Sequence, residues 1–331
     1  MVYGYKFTAI DHKSILLTRR CPMKKIHFTS ITEHNSFFGL PAPEHPLFFI
    51  TSFVPDNTED IEKCFPEPLN VSTDFYAISL KKIVSGEIIY GRTKYDFSNG
   101  TMLFMAPGQE LIIKELAVTS EVKTILIHED YIRTHEIRDK IKKYNFFSYS
   151  VNEALHLSPK EEQLVKSIID NAESEYMNNP DEFSKDIMLS QIGTLLKYAD
   201  RFYKRQFINR TDLAGKTLEK FRTLLTGHFE SGRFQESGTP KVEDVANELS
   251  MSPRYLSDML KAETGKTAMD HIHLYLIDEA KNLLLDPTIS ISETAYKLGF
   301  EYPQYFSRLF KKKVGISPTA YRDREGTSYL S

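Results

Sequence analysis

The chain has 331 residues, a net charge of −3 and a hydrophobic fraction of 41%. This length suggests two or three domains, and the hydrophobic fraction is sufficient for buried cores. No apolar run is long enough to span a membrane, and the first residues lack the pattern of a secretory signal. These features argue against a membrane or secreted protein. The two cysteines, Cys21 and Cys64, are not spaced like metal ligands, which fits a cytoplasmic location.

Residues 1–23 are predicted to form an N-terminal extension. Met23 lies just before Lys24 and Lys25 and is a second candidate for the natural first residue. Two interpretations of residues 1–22 therefore stay open: a disordered tail, or sequence that lies upstream of the true start.

Residues 24–150 are predicted to form a β-rich domain. Turn signals separate four β-prone segments, which are Leu47–Val54, Phe75–Lys81, Glu87–Tyr90 and Thr101–Ala106. Many short strands at this spacing are typical of a sandwich or a small barrel. Asn99-Gly100 is predicted to form a hairpin turn because both residues tolerate positive φ.

Residues 151–229 are predicted to be helical. Ser158 and Glu161 form a capping box that starts the first helix. Three segments carry apolar residues at helical spacing: Leu164–Ala172, Ile187–Phe202 and Asp212–Phe229. Because the stripes at Leu164–Ala172 and Ile187–Phe202 exceed what a short connection needs, the region is predicted to support a homodimer. Gly232–Pro240, which is rich in glycine and proline, is predicted to be a linker.

The last hundred residues contain an internal repeat. Similar residues recur at a separation of 50 positions, and these pairs are Leu256/Phe306, Ser257/Ser307, Met259/Leu309, Leu260/Phe310, Lys261/Lys311, Gly265/Gly315 and Thr267/Ser317. Upstream, Ala246 and Leu249 recur 49 positions later as Ala295 and Leu298. The second unit therefore has one extra residue in its turn.

Each unit is predicted to be a short helix, a tight turn and a longer helix. The first unit has helices at Val242–Leu249 and Pro253–Glu263, and the second at Ile291–Leu298 and Pro303–Val314. This is a helix-turn-helix, whose second helix enters the major groove of DNA. A capped helix over Ala268–Leu285 joins the units and measures roughly 27 Å, which suits recognition helices about one DNA turn apart.

The second unit resembles a known family. The matching residues are Gly299-Phe300, Tyr305-Phe306-Ser307-Arg308, Phe310-Lys311-Lys312, Gly315, Ser317-Pro318 and Tyr321-Arg322. They are similar to the signature of AraC/XylS-type transcriptional regulators, and the resemblance covers about residues 235–325. Tyr95–Thr101 and Ala106-Pro107-Gly108 are similar to the cupin-like sensory domain of many members. The resemblance implies an α+β multidomain fold: a cupin-like barrel at 24–150, a helical linker and dimerisation region at 151–229, and an all-α DNA-binding domain at 230–331.

The resemblance also implies the DNA-contacting residues. Base contacts are expected from exposed early positions of each recognition helix, which are Arg254, Ser257, Asp258, Gln304, Ser307 and Arg308. Phosphate contacts are expected from Lys261, Lys311, Lys312 and Arg322. The chain departs from the family at Tyr302-Pro303, where a small polar residue is common, and this leaves the contact register of the second helix open.

The expected function is sequence-specific transcriptional regulation, with double-stranded promoter DNA as the partner. A small-molecule effector, a second copy of the chain and RNA polymerase are further expected partners, and a membrane is not. No cofactor, catalytic residue or metal site is expected. Metal-binding cupins use a His-x-His pair and a downstream glutamate as ligands, and the histidines of this β-rich region do not form that motif. Two alternatives stay open: a metal-dependent cupin enzyme tethered to DNA, and a pure interaction module.

Overall fold

The computed structural model describes residues 24–53, 69–81, 83–87, 100–118, 121–150, 153–178, 180–209 and 211–328. The first part is β-rich and the remainder is helical. The strands are β1 (Lys24–Phe28), β2 (Phe48–Phe53), β3 (Leu69–Thr73), β4 (Phe75–Lys81), β5 (Ile83–Glu87), β6 (Thr101–Met105), β7 (Leu111–Val118), β8 (Val122–His128) and β9 (Leu155–His156).

The described strands form two sheets with the orders β1-β3-β7-β5 and β2-β8-β4-β6-β9. The β1–β3 pair is parallel and the others are antiparallel. The predicted β-rich region is confirmed, and its described strands form two sheets rather than one closed barrel. The cupin-like character of this region stays a prediction. Strands β2, β4 and β6 confirm three predicted segments. Of the segment at Glu87–Tyr90, only Glu87 lies within the described residues, where it ends β5. Residues 88–99, which include most of the predicted Asn99-Gly100 hairpin, lie outside the described residues.

The helices are α1 (Ile31–Phe37), α2 (Ile137–Ile141), α3 (Pro159–Met177), α4 (Ser184–Asn209), α5 (Thr211–Glu230), α6 (Arg233–Ser237), α7 (Val242–Glu248), α8 (Pro253–Thr264), α9 (Ala268–Leu284), α10 (Ile291–Lys297), α11 (Pro303–Val314) and α12 (Pro318–Ser328), with a 3-10 turn at Asn145–Ser148. The Ser158/Glu161 capping box at α3 is present, and so are the boxes that start α9 and α10. Within the described residues, no helix has both the length and the hydropathy needed to cross a membrane.

Helices α3 and α4 pack against each other, and α3 also packs on β2. Most of the apolar stripe predicted on α3 is buried inside the chain, at Val165, Ile168, Ile169 and Ala172, while Leu164 remains exposed. Most of the stripe therefore contributes to the core of this chain. It does not by itself supply a surface for a second copy.

A buried lysine joins α3 to the second sheet. The Nζ of Lys123, on β8, donates to Asp170 on α3 at 2.6 Å and to the Ser52 hydroxyl at 2.7 Å. Glu173, one turn further along α3, accepts from the Ser52 amide at 2.7 Å and from its hydroxyl. Because a buried charge is costly without partners, these bonds fix α3 on the sheet.

The predicted linker at Gly232–Pro240 is wrong in part, because it contains helix α6 and a core residue. The Phe234 side chain is 1% exposed. The segment also presses on the turn of the second helix-turn-helix: a Cβ at Gly299 would lie 2.6 Å from the Phe234 carbonyl oxygen and from the Gly238 carbonyl carbon. Its glycines and proline gave a linker-like composition, but the backbone is packed rather than free.

Candidate nucleic-acid interface

The structure confirms both predicted helix-turn-helix units. Helices α7 and α8 form the first unit and α10 and α11 the second, with α9 joining them. Both recognition helices have 12 residues, begin with proline and end at a left-handed glycine, which is Gly265 in α8 and Gly315 in α11. A left-handed glycine after the last turn satisfies the terminal carbonyls without a Cβ penalty.

The turns of the two units differ at one position. Gly299 has a φ of 83°, a conformation that L residues rarely adopt. The equivalent residue of the first unit is Ser250, with a φ of 57°. The same backbone bend is thus made with glycine in one unit and with a strained serine in the other.

Helix α11 presents a basic, exposed face. Its Gln304, Arg308, Lys311 and Lys312 are exposed, and Ser307 is half-buried. The Arg308 guanidinium lies 4.8 Å from the centroid of the Tyr305 ring, and Tyr305 is itself 52% exposed. A cation held over an aromatic face is partly oriented before it meets a ligand. The predicted base and phosphate residues of this helix therefore share one accessible surface.

Helix α8 presents fewer of its predicted residues. Arg254 and Lys261 are exposed, and Ser257 is half-buried. The Asp258 carboxylate is engaged within the chain: it accepts from the Tyr149 hydroxyl at 2.5 Å and from the Asn145 amide at 3.0 and 3.2 Å. In this structure Asp258 therefore faces the N-terminal half of the chain.

The N-terminus of α8 is also occupied. The Glu153 carboxylate accepts from the Ser252 amide at 2.6 Å and from the Ser252 hydroxyl at 2.5 Å. Glu153 is 3% exposed. Burial raises the pKa of Glu153, and hydrogen bonds from Ser252 and from the Ser150 amide offset part of that rise. The positive end of the helix dipole favours a carboxylate at this position.

Comparison with known proteins identifies the C-terminal helices. A family model described as a helix-turn-helix domain matches residues 245–324. The xylose operon regulatory protein of Escherichia coli (strain K12) is 35% identical over 83 residues, which are 25% of this chain and 21% of that protein. The C-terminal region is a helix-turn-helix domain of the AraC type.

Two proteins of Bacillus subtilis (strain 168) are similar to this chain over longer segments than the xylose operon regulatory protein is. The uncharacterized HTH-type transcriptional regulator YfiF is 31% identical over 150 residues, which are 44% of this chain and 44% of that protein. The uncharacterized transcriptional regulatory protein YesN is 35% identical over 148 residues, which are 43% of this chain and 38% of that protein. The chain thus spans less than half the length of these relatives.

Among solved structures, the C-terminal domain of AraT, a response regulator from Geobacillus stearothermophilus, is 33% identical. The likeness covers 33% of this chain and 84% of that chain, with a TM-score of 0.29. A TM-score this low carries no weight for the fold of the whole chain.

One predicted phosphate contact has another role within the AraC-type domain. The Arg322 guanidinium, on α12, donates to the backbone carbonyls of Leu284 at 3.3 Å and Ile289 at 2.6 Å. These carbonyls lie at the end of α9 and just before α10, so Arg322 closes the connection between the two units. Cationic side chains commonly satisfy carbonyls at a helix C-terminus.

Several residues at this interface were not predicted from the sequence. Tyr305 lies three positions before Arg308 and could have been found from that spacing, which places both residues on the exposed face of α11. Asn145, Tyr149 and Glu153 contact α8 across more than ninety positions of sequence, and no local pattern indicates them. Across the described residues, no three His, Cys, Asp or Glu side chains are grouped as metal ligands would be.

Proposed function

We propose that the protein is a sequence-specific transcriptional regulator that binds promoter DNA through its AraC-type domain. The observation that carries the proposal is the duplicated helix-turn-helix, whose second recognition helix exposes Gln304, Arg308, Lys311 and Lys312 on one face. Arginine and glutamine match the acceptor and donor patterns of guanine and adenine in the major groove, and lysines neutralise phosphates.

The test is unbiased selection of duplex sites by the purified full-length protein, followed by affinity measurement on a selected duplex and a scrambled one. We expect the selected duplex to bind about a thousandfold more tightly or more, which is the usual ratio for sequence-specific binding. Affinity is expected to fall as salt rises, because bound lysines and arginines release counterions. Equal affinity for both duplexes would contradict sequence-specific recognition.

We further propose that the N-terminal region controls this activity in response to a small molecule or a protein partner. A narrow apolar crevice, with room for about one water molecule, lies between β6, the 3-10 turn and α4. It is lined by Leu103, Phe104, Phe146, Tyr149 and Tyr203. Tyr149 thus borders the crevice and also bonds to Asp258 on α8. A small molecule would have to widen the crevice in order to bind, and it would then displace a residue in contact with the first recognition helix.

A homodimer is part of the same proposal, with RNA polymerase as a further partner of the promoter-bound protein and the cytoplasm as its location. The apolar side chains left exposed where α3 meets α4 are Met177, Phe183 and Ile187, of which Met177 is 67% exposed. Light scattering at micromolar concentration is expected to give twice the chain mass. Phe183→Glu is expected to reduce it to one chain, and a monomeric wild type would refute the dimer.

A further inference from the structure

Helix α8 is held by the N-terminal half of the chain at two points. At its N-terminus, Glu153 accepts the amide and the hydroxyl of Ser252, the N-cap residue. Nearly two turns later, Asn145 and Tyr149 bond to Asp258. We call Asn145, Tyr149 and Glu153 the cover residues, and together they engage the side of α8 that includes a predicted base-contacting position.

Aromatic packing reinforces these bonds. The Tyr255 ring, on α8, lies 5.3 Å from the Tyr149 ring and 5.1 Å from the Phe207 ring of α4, centroid to centroid. Tyr255 is only 3% exposed. Burial, and then the charge of Asp258, raise the pKa of Tyr149, so its hydroxyl keeps the proton that it donates. The contact therefore combines charged hydrogen bonds with a dry aromatic cluster.

The internal repeat supplies the comparison that identifies which surface is covered. Tyr255 and Asp258 correspond to Tyr305 and Arg308 in the second unit, fifty positions later. In α11 both residues are exposed, and the helix packs on α9, α10 and α12 of its own domain. The helix face that is exposed in α11 is therefore the same face that contacts the cover residues in α8.

We propose that the cover residues compete with DNA for helix α8, and that Glu153 occupies the place of a DNA phosphate at the helix N-terminus. This inference rests on the proposed function. The Ser252 amide and hydroxyl can serve a carboxylate or a phosphate, but not both at once, and helix N-termini are general sites for either anion. Asp258, held against Tyr149 and Asn145, cannot face a base edge at the same time.

The consequence is a two-state equilibrium. In the covered state only α11 is available, so the chain reads DNA with one of its two units. In the uncovered state both recognition helices are available. Because the apparent affinity for binding with both units equals the intrinsic affinity of that mode multiplied by the uncovered fraction, any change that weakens the cover tightens two-unit DNA binding. A ligand that displaced Tyr149 would act in the same direction.

The experiment uses full-length protein with two cover variants, Asn145→Ala combined with Tyr149→Phe, and Glu153→Ala. The matched control is Glu173→Ala, because Glu173 accepts the amide and hydroxyl of Ser52 in the same way, but on β2 and away from α8. Site selection is run with all four proteins in parallel, and affinity is measured by fluorescence anisotropy on a selected duplex. Each cover variant is expected to bind about tenfold more tightly than wild type, as a tenfold rise in uncovered fraction requires. Glu173→Ala is expected to bind like wild type.

Hydrogen–deuterium exchange separates uncovering from general loosening. In the cover variants, the amides of α8 are expected to exchange faster while those of α11 do not change. Equal affinity of wild type and both cover variants would overturn the proposal, and so would an equal gain in Glu173→Ala. If Glu153→Ala does not fold, the double variant decides. If none of the folded proteins selects any duplex, the proposed function fails, which is a different result from selection with unchanged affinity.

Discussion

The two recognition helices have the same architecture and opposite surroundings. Both are 12-residue helices that follow an extended N-cap residue and end at a left-handed glycine. Yet Tyr255 of α8 is 3% exposed, whereas the equivalent Tyr305 of α11 is 52% exposed. Because the two helices have the same length and the same ends, this difference in exposure comes from the elements that pack against each helix. The burial of α8 is therefore set by the residues that pack on it from the rest of the chain rather than by the helix-turn-helix fold.

The two helices also differ in charge. Where α11 has Arg308, Lys312 and Lys313, α8 has Asp258, Ala262 and Glu263. Long-range attraction to the DNA backbone grows with the number of basic residues near the groove. The second unit is thus both the more exposed and the more basic one, which makes it the expected site of first contact with DNA.

The largest expected effect concerns the turn that positions α11. Gly299→Ala would place a Cβ 2.6 Å from two backbone atoms of the segment at 234–238, at a φ of 83°. Since backbone cannot move aside as a side chain can, we expect the second unit to lose about 3 kcal/mol or more of local stability. Faster hydrogen exchange in α10 and α11 would report this loss.

Gly315→Ala is the matched control for that substitution. Gly315 has a similar φ of 91°, but a Cβ there would meet nothing within 4 Å. Only the left-handed strain remains, so the expected cost is about 1 kcal/mol. Equal costs at the two glycines would mean that the packing of 234–238 on the turn does not matter.

The next effect concerns how α11 reads DNA. Arg308→Ala is expected to cost about 1–3 kcal/mol of binding and to relax the sequence preference at one base position. Lys312→Ala is expected to weaken binding to every sequence alike, because phosphate contacts position without specifying. Site selection with both variants measures this difference. An unchanged preference in Arg308→Ala would mean that the helix docks in another register, with Tyr302-Pro303 as the first suspect.

A tyrosine pair offers a smaller effect with opposite signs in the two units. Tyr305→Leu removes the ring beneath Arg308 and is expected to weaken DNA binding by about 0.5–1 kcal/mol. Tyr255→Leu removes the ring that packs on Tyr149 and Phe207, so the same change in α8 is expected to strengthen binding by loosening the cover. The measurement is the affinity of each variant for one selected duplex. Affinity changes of the same sign in both variants would contradict the contrast between the helices.

Local features of the C-terminal region were predictable from the sequence. The bounds of α11 were predicted as observed, and those of α8 differ by one residue. The capping box predicted at the start of α3, in the preceding helical region, and the cap predicted at the start of α9 also form. Caps and helical periodicity act over three or four residues, so a sequence displays them directly.

Features that depend on distant residues were not predictable. The bonds from Glu153 to Ser252 and from Tyr149 to Asp258 join positions about a hundred residues apart. No local sequence pattern around Glu153 or Tyr149 indicates which residue it bonds to. The division of the described strands into two sheets and the burial of Phe234 in a glycine-containing segment have the same origin, because both are decided by packing between elements.

The smallest expected effect tests the one position where the two turns use different residues. Ser250 adopts a φ of 57° where the second unit has glycine, and a left-handed residue with a Cβ is strained. Ser250→Gly should relieve that strain, although glycine also increases the entropy of the unfolded chain, so the net gain is expected to be only about 0.5 kcal/mol. Slower hydrogen exchange in α7 and α8 would show it. Ser250→Ala keeps the strain and removes only the hydroxyl, so it should give no gain. An equal gain in both variants would assign the effect to the hydroxyl and would leave the backbone of the two turns energetically alike.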